Sequence, residues 1–259
     1  MCLAGLINAC HLTKREMKDI RVVVNGAGAA GIGTLKLITA YGVKAENCTL
    51  CDSQGVIYTG REDVNPYKKP FARDTMLRTL ADALKGADVF IGVSAAGALK
   101  KEYLETMAEA PIIFALANPE PEIRPEVAKK IRPDAIIATG RSDYPNQLNN
   151  IQCFPYLTRA ALDTRAKCVN QEMKLAAAQS LAMLAREPVP AEVSSAYSGQ
   201  TFEFGPDYIV PTPFDPRLIS TVPMAVAKAA IDSGVARAQI TNWTDYRHEL
   251  EIKTLKTSY

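Results

Sequence analysis

Apolar residues in the first half of the chain fall in short unbroken runs, separated by stretches whose apolar positions recur at helical spacing. Val22-Val23-Val24 is one such run, and 48–51, 88–93, 112–116 and 135–139 contain others. Runs of this length bounded by turn residues predict buried strands. Between them 34–41, 75–84, 101–107 and 125–131 read as helices, and Gly42 stops the first of these. Strands alternating with helices imply a parallel sheet covered on both faces. The right-handed crossover rule then makes a doubly wound α/β sheet the leading topology.

The pattern changes character toward the other end. Residues 2–12 read as an amphipathic or buried helix with no N-cap of its own, followed by the basic turn Lys14-Arg15. Residues 147–162 and 169–186 read as helices, the second with Val169, Met173, Ala176, Ala177, Ser180, Leu181 and Leu184 on one face. Residues 187–223 are rich in Pro, Ser and Gly and predict an extended surface segment. Helix returns over 223–234, where Ala225, Ala229 and Ala230 permit close packing, and the mostly polar 242–259 predicts a fraying tail.

The first strand runs into Gly26-Ala27-Gly28-Ala29-Ala30-Gly31, a G-x-G-x-x-G turn that opens a helix. Gly26 permits the tight turn, Gly28 lets a pyrophosphate approach the backbone, and Gly31 lets the helix pack on the strand. The free N–H groups and positive end of that helix hold the anion. The second strand ends at Asp52, about the expected 20 residues on, where a carboxylate can hydrogen-bond ribose hydroxyls. These features predict a Rossmann-like dinucleotide-binding domain over 20–186, with 187–259 as a C-terminal helical extension packing on it. A βαβ crossover with an incidental Asp is the bland alternative. Asp52 by itself favours NAD, because it repels a 2′-phosphate unless a cation such as Arg61 intervenes.

Composition narrows the function classes. The 259 residues carry 30 Lys plus Arg against 28 Asp plus Glu, a formal charge of +2, which gives no indication of a nucleic-acid or membrane partner. No apolar run reaches membrane-spanning length, and 2–10 lacks the flanks of a signal peptide. The six cysteines lie scattered in apolar patterns, which fits a reducing, cytoplasmic setting. Cys48 and Cys51 form C-x-x-C, but the odd spacing within a strand points their side chains to opposite faces, so they read as buried inert thiols. His11 and His248 are the only histidines, at opposite ends of the chain, which argues against a His-based triad or metal site.

Ligands of an open parallel sheet bind outside the carboxyl ends of its strands. Three loops there carry unusual residues: Ser94-Ala95-Ala96-Gly97, Asn118-Pro119-Glu120-Pro121-Glu122, and the stretch from Gly140-Arg141-Ser142-Asp143-Tyr144 through Pro145-Asn146 to Asn149-Asn150. Each asparagine loop reads equally as a turn or a helix cap. Together, beside a dinucleotide turn, they suit amide recognition of a carboxylate or carboxamide. Glu120 and Glu122 flank prolines and are expected to be solvated. Tyr144 is a candidate for proton transfer.

On these residues the chain resembles the malic enzymes, and within them the nucleotide-binding domain of the large bacterial NADP-linked type. The resemblance rests on Val24-Asn25-Gly26-Ala27-Gly28-Ala29-Ala30-Gly31, Cys51-Asp52-Ser53, Ala115-Leu116-Ala117-Asn118-Pro119, and Ser142-Asp143-Tyr144-Pro145-Asn146-Gln147. Phe204-Gly205-Pro206-Asp207-Tyr208 and Pro213-Phe214-Asp215-Pro216-Arg217 carry it to the C-terminal segment. It implies oxidative decarboxylation of L-malate to pyruvate and CO2, with hydride transfer from C2 to the nicotinamide and a divalent Mg or Mn ion polarising the keto group.

Carried over residue by residue, Gly26, Ala27, Gly28, Ala29, Ala30, Gly31, Asp52 and Ser53 resemble cofactor-binding positions. Ser94 and Gly97 resemble a loop near the nicotinamide. Asn118, Asn149 and Asn150 resemble amides that contact malate, Asn118 also serving the cofactor. The family's catalytic Tyr and Lys and its first metal ligands belong to an N-terminal domain outside these residues, so no catalytic residue and no metal ligand is assigned here. Residues 1–19 are expected to be the remnant of an inter-domain helix. NADP is the expected cofactor, with NAD the alternative, and the complete enzyme is expected to be a homo-oligomer. The isolated chain is expected to bind dinucleotide without turning over malate. A non-catalytic dinucleotide-binding or assembly subunit from a split or truncated gene is the competing reading. An amino-acid dehydrogenase is a third, opposed by the two asparagine-loop matches.

Overall fold

The computed structural model describes residues 1–255. A first helix, α1 (Cys2–Leu12), precedes strand β1 (Val22–Asn25) and helix α2 (Ala29–Tyr41). There follow β2 (Cys48–Asp52), β3 (Gly55–Val56), α3 (Leu80–Leu84), β4 (Val89–Gly92), α4 (Lys101–Glu105), β5 (Ile112–Ala115), α5 (Pro125–Ile131) and β6 (Ile136–Thr139). The six strands form one sheet in the order β3-β2-β1-β4-β5-β6, all parallel except β3, which runs antiparallel to β2. This is the doubly wound α/β architecture expected from the alternation of runs.

Register decides where a site can form. Val22 lies opposite both Cys48 and Val89, Val89 opposite Ile112, and Ile112 opposite Ile136. The carboxyl ends Asn25, Gly92, Ala115 and Thr139 therefore form one row across the sheet with Cys51, the residue before the end of β2. The strand order reverses between β1 and β4, so the crevice of a doubly wound sheet opens above Asn25 and Gly92.

Every residue of β1, β4, β5 and β6 is buried, because helices cover both faces and each position needs an apolar or hydrogen-bonded side chain. On one face Phe90, Ile113, Leu84 and Leu104 pack in a continuous core. Burial of each such side chain contributes about 1.5–3 kcal/mol.

Several local expectations shift. Helix α3 begins at Leu80 rather than 75, because Thr79 and Asp82 form a reciprocal capping box. The two-residue β3 went unanticipated; Gly55 at φ +103° turns the chain back, and a Cβ there would lie 2.2 Å from the Arg78 carbonyl oxygen.

The chain separates into two compact units, one comprising Cys2 and Leu6–Leu148, the other Met1, Leu3–Gly5 and the residues from Asn149 onward. The change of unit thus falls at 148/149 rather than after 186. Its physical reason is that α6 (Phe154–Asp163) and α7 (Gln171–Arg186) both pack on α9 (Leu218–Asp232). The helix expected over 147–162 is broken, since Asn149 caps a short 3-10 turn, Asn150–Gln152, ahead of α6. The segment 187–223 is not wholly extended, because it contains α8 (Ala191–Ala196) and the start of α9, which runs through Pro223.

The tail is also more ordered than its polarity suggests. Asn242 accepts from the N–H groups of Thr244 and Asp245, starting α10 (Trp243–Leu255), and Tyr246 and Leu250 are buried. Residues 256–259 of the expected fraying tail lie outside the described residues. Among the described residues no helix is long and apolar enough to cross a membrane.

Candidate dinucleotide site

The glycine turn has the shape its spacing implies. Gly26 adopts φ +117°, and a Cβ there would come within 2.4 Å of the Val93 carbonyl oxygen. A Cβ on Gly31 would sit 1.9 Å from the Gly26 carbonyl oxygen, so this glycine is what allows α2 to pack against the turn. A Cβ on Gly28 would meet nothing within 4 Å. That open space leaves room for an anion, since Gly28 is the N-cap of α2 and brings no side chain to close it. Ala29 and Ala30 in the first turn are exposed, and that turn carries no acidic residue. A pyrophosphate fits this helix end by charge and by space.

The turn forms the floor of a cleft of about 620 Å³ bounded by Asn25, Ala27, Asp52, Ser53, Ser94 and Ala98. Five of the expected cofactor positions, Gly26, Ala27, Asp52, Ser53 and Ser94, line it.

At the β2 end of the cleft the chemistry is ionic. Asp52 accepts from the Gln54 N–H, and its carboxylate oxygens lie 2.9 Å from Arg61 Nη2 and 2.8 Å from Lys68 Nζ. Burial raises the Asp52 pKa, but the hydrogen bonds from Lys68, Gln54 and Arg61 outweigh it and hold the carboxyl below its usual range. Arg61 is the more fixed cation, since it also donates to the Gly55 and Val56 carbonyls and to Asp63. Lys68 was not singled out from sequence; only the basic pair Lys68-Lys69, following the turn at Asn65-Pro66, hinted at it.

Past Ser94, at the β4 and β5 ends of the sheet and outside the lining of this cleft, the chemistry is neutral donors around one acid; Gly97 and Glu122 line a neighbouring cavity. Glu122, expected to be solvated, is fully buried. Its Oε1 accepts from the Ser94 N–H at 2.8 Å and the Ser94 hydroxyl at 3.0 Å, and its Oε2 accepts from the Ala117 N–H at 3.0 Å. The expectation failed because a proline-flanked acidic loop reads as exposed, whereas these three donors offset the cost of burial. A signal lay in Gly92, the last residue of β4, where a Cβ would stand 2.4 Å from the Glu122 carboxyl carbon. Glu120 is partly exposed and pairs with Arg124 and Arg141.

Asn118 is exposed and donates from Nδ2 to the Leu116 carbonyl, ahead of a cis peptide bond to Pro119. Gly140 leaves it room, since a Cβ there would approach Asn118 Nδ2 to 3.1 Å. Gly97 is exposed at φ +71°, and its N–H donates to the Pro121 carbonyl.

Asn149 and Asn150 belong to the other compact unit. The Asn149 side chain accepts from the Ile151 N–H, so it acts as a cap, and Asn150 is exposed. Tyr144 donates to Glu126, and desolvation together with that bond raises its pKa. This works against the proton-transfer role considered for it.

The six cysteines are free. Burial pushes the Cys48 thiol up to about 11 and the Cys51 thiol up to about 12, which makes both inert. Among the described residues no group of three or more His, Cys, Asp or Glu side chains could hold a metal ion.

Comparison with known proteins agrees with this geometry. The family model described as malic enzyme, NAD binding domain, matches residues 1–195. The NADP-dependent malic enzyme of Rhizobium meliloti (strain 1021) is 56% identical over 251 residues, covering 96% of this chain and 33% of that protein. An NAD-dependent malic enzyme of the same organism is 49% identical over 257 residues, covering 99% of this chain and 33% of its own length. The crystal structure of Entamoeba histolytica malic enzyme superposes with a TM-score of 0.87 at 33% identity, covering 99% of this chain and 52% of that one. The chain thus spans about a third of the length of these two curated relatives.

Proposed function

The chain belongs to the family of malic enzyme NAD binding domains, and from that membership we propose that it holds NADP for the oxidative decarboxylation of L-malate to pyruvate and CO2. The observation that carries the choice of NADP is the pairing of Asp52 with both Arg61 and Lys68. A free carboxylate at the end of β2 would repel a 2′-phosphate and accept from ribose hydroxyls, favouring NAD. Here two cations neutralise it. Lys68, on a flexible stem and about one-fifth exposed, is the one able to turn from Asp52 to a phosphate.

Gly28 and the first turn of α2 receive the pyrophosphate, and Ser53 lies at the adenosine side of the cleft. Ser94, Gly97 and Asn118 serve the nicotinamide side, with Asn118 also offering its amide to malate. A nicotinamide bound there supplies the hydride acceptor for oxidation at malate C2. The groups that move the proton and hold a divalent Mg or Mn ion are assigned to parts of the complete enzyme outside these residues. Six free cysteines support a reducing, cytoplasmic setting.

Calorimetric titration of the chain with NADP+ and NAD+ tests the reading. Tighter binding of NADP+ is expected, and preference for NAD+ would reverse the cofactor assignment. Mixing the chain with malate, Mn²⁺ and NADP+ is expected to give no NADPH. Turnover at enzyme-like rates would show that the proton-transfer and metal groups lie within it.

A further inference from the structure

We propose that Glu122 is a positioning residue for the nicotinamide half of the dinucleotide, an inference that rests on the cofactor site just described. Its carboxyl ties together three strand ends. Through Ser94 it holds the loop after β4, and through the Ala117 N–H it holds the loop after β5, one residue before Asn118. The Ser94 hydroxyl in turn accepts from Asn25 Nδ2 at 2.9 Å, which extends the link to the last residue of β1. Main-chain bonds continue the seam, from the Leu99 N–H to the Glu122 carbonyl and from the Gly97 N–H to the Pro121 carbonyl.

This placement is specific to the crevice. Both oxygens of a fully buried carboxyl are spent on the loops after β4 and β5, the first of which borders the switch point, and all three bonds come from N–H and hydroxyl groups rather than from a cation. Gly92 ends β4 without a side chain because the carboxyl fills the space a Cβ would need. The acidic residue at the end of β2 marks the adenosine side of a dinucleotide site. The opposite half of the cofactor therefore lies toward β4 and β5, where Glu122 sets the separation of the loops. Loss of its bonds should loosen the nicotinamide half and leave the adenosine half untouched.

The Glu122→Gln variant keeps the shape but turns one accepting oxygen into an NH2 group facing an N–H or hydroxyl donor. Titration of the full chain with NADP+ and with 2′,5′-ADP, which lacks the nicotinamide half, separates the two ends. The expected result is a roughly tenfold loss of NADP+ affinity, the scale of one unsatisfied buried polar group, with 2′,5′-ADP affinity unchanged. Gly92→Ala, which forces the same carboxyl aside, should give the same split and serves where Glu122→Gln does not fold. Equal losses for both ligands would reduce Glu122 to a general packing role and overturn the inference, as would unaltered NADP+ binding in both variants. A wild-type chain that binds neither ligand overturns the cofactor site itself and the positioning role with it.

Discussion

The two sides of the sheet's carboxyl edge are built on opposite principles. At β2, Asp52 sits between Arg61 and Lys68, so recognition there is a matter of charge and of which partner a cation prefers. At β4 and β5, Glu122 is held by N–H and hydroxyl groups, and Asn118 presents a neutral amide. Ion pairs with long side chains rearrange readily and respond to salt. A buried carboxyl with all its bonds made to short loops holds one geometry. The contrast suits a cofactor that is identified at one end and reacts at the other: discrimination needs charge that can be exchanged, and hydride transfer needs fixed distance.

The substitution expected to cost most breaks both ends at once. Gly31→Ala places a Cβ 1.9 Å from the Gly26 carbonyl oxygen. It should abolish NADP+ and NAD+ binding alike and lower the unfolding free energy by about 3 kcal/mol, the upper part of the usual overpacking range. Calorimetry and urea denaturation measure the two effects, and retention of binding would show that the turn is not the common anchor.

Lys68→Ala breaks the β2 end alone. NADP+ binding should weaken by about 1.5–3 kcal/mol, the scale of a hydrogen bond to a charged group, while NAD+ is spared. An equal loss for NAD+ would mean that Lys68 supports the fold of the loop rather than reading a phosphate. Asp52→Ala should do less and in the other direction, widening the NADP+ over NAD+ ratio, because NAD+ loses its ribose acceptor and Lys68 is freed for the 2′-phosphate. A ratio that does not move in paired titrations would remove Asp52 from cofactor choice.

The smallest effect belongs to a control at the opposite edge of the sheet. Asp134 precedes β6, and Arg132 hydrogen bonds, opposed by burial and aided by the Ala110 N–H, lower its pKa from 3.8 to about 2. A folded-state pKa below the unfolded one stabilises the protein above about pH 3.8, and that contribution is lost as the pH falls toward 2. In denaturation series the gap between wild type and Asp134→Asn should close over that window, with cofactor affinity at neutral pH unaltered.

What the sequence disclosed follows the range of the interactions. Val22-Val23-Val24 and the run through Ile112 and Ile113 are buried on both faces, so each announces a strand from its own residues. The glycines at 26, 28 and 31 were legible from their spacing after a strand, although the Val93 carbonyl that leaves no room for a Cβ on Gly26 comes from the residue that follows β4. Asp52 was found by spacing, but its pairing with Lys68 depends on a loop 16 residues away. Glu122 was misread because its burial depends on Ser94, reached only when β4 and β5 lie side by side. The tail was misread because two buried side chains, Tyr246 and Leu250, and a bond from Tyr246 to Asp163 outweigh a polar composition. The change of unit at 148/149 likewise reflects packing of α6 and α7 on α9, which no local pattern announces.

Amide spectra of the isotope-labelled chain, recorded first with 2′,5′-ADP and then with NADP+, test the division of the carboxyl edge most directly. The account predicts that 2′,5′-ADP moves the resonances of Gly28, Ala29, Ser53 and Lys68 and leaves Ser94, Gly97 and Asn118 in place, and that NADP+ moves both sets. Movement of the Ser94 and Asn118 resonances by 2′,5′-ADP alone, or their indifference to NADP+, would contradict it.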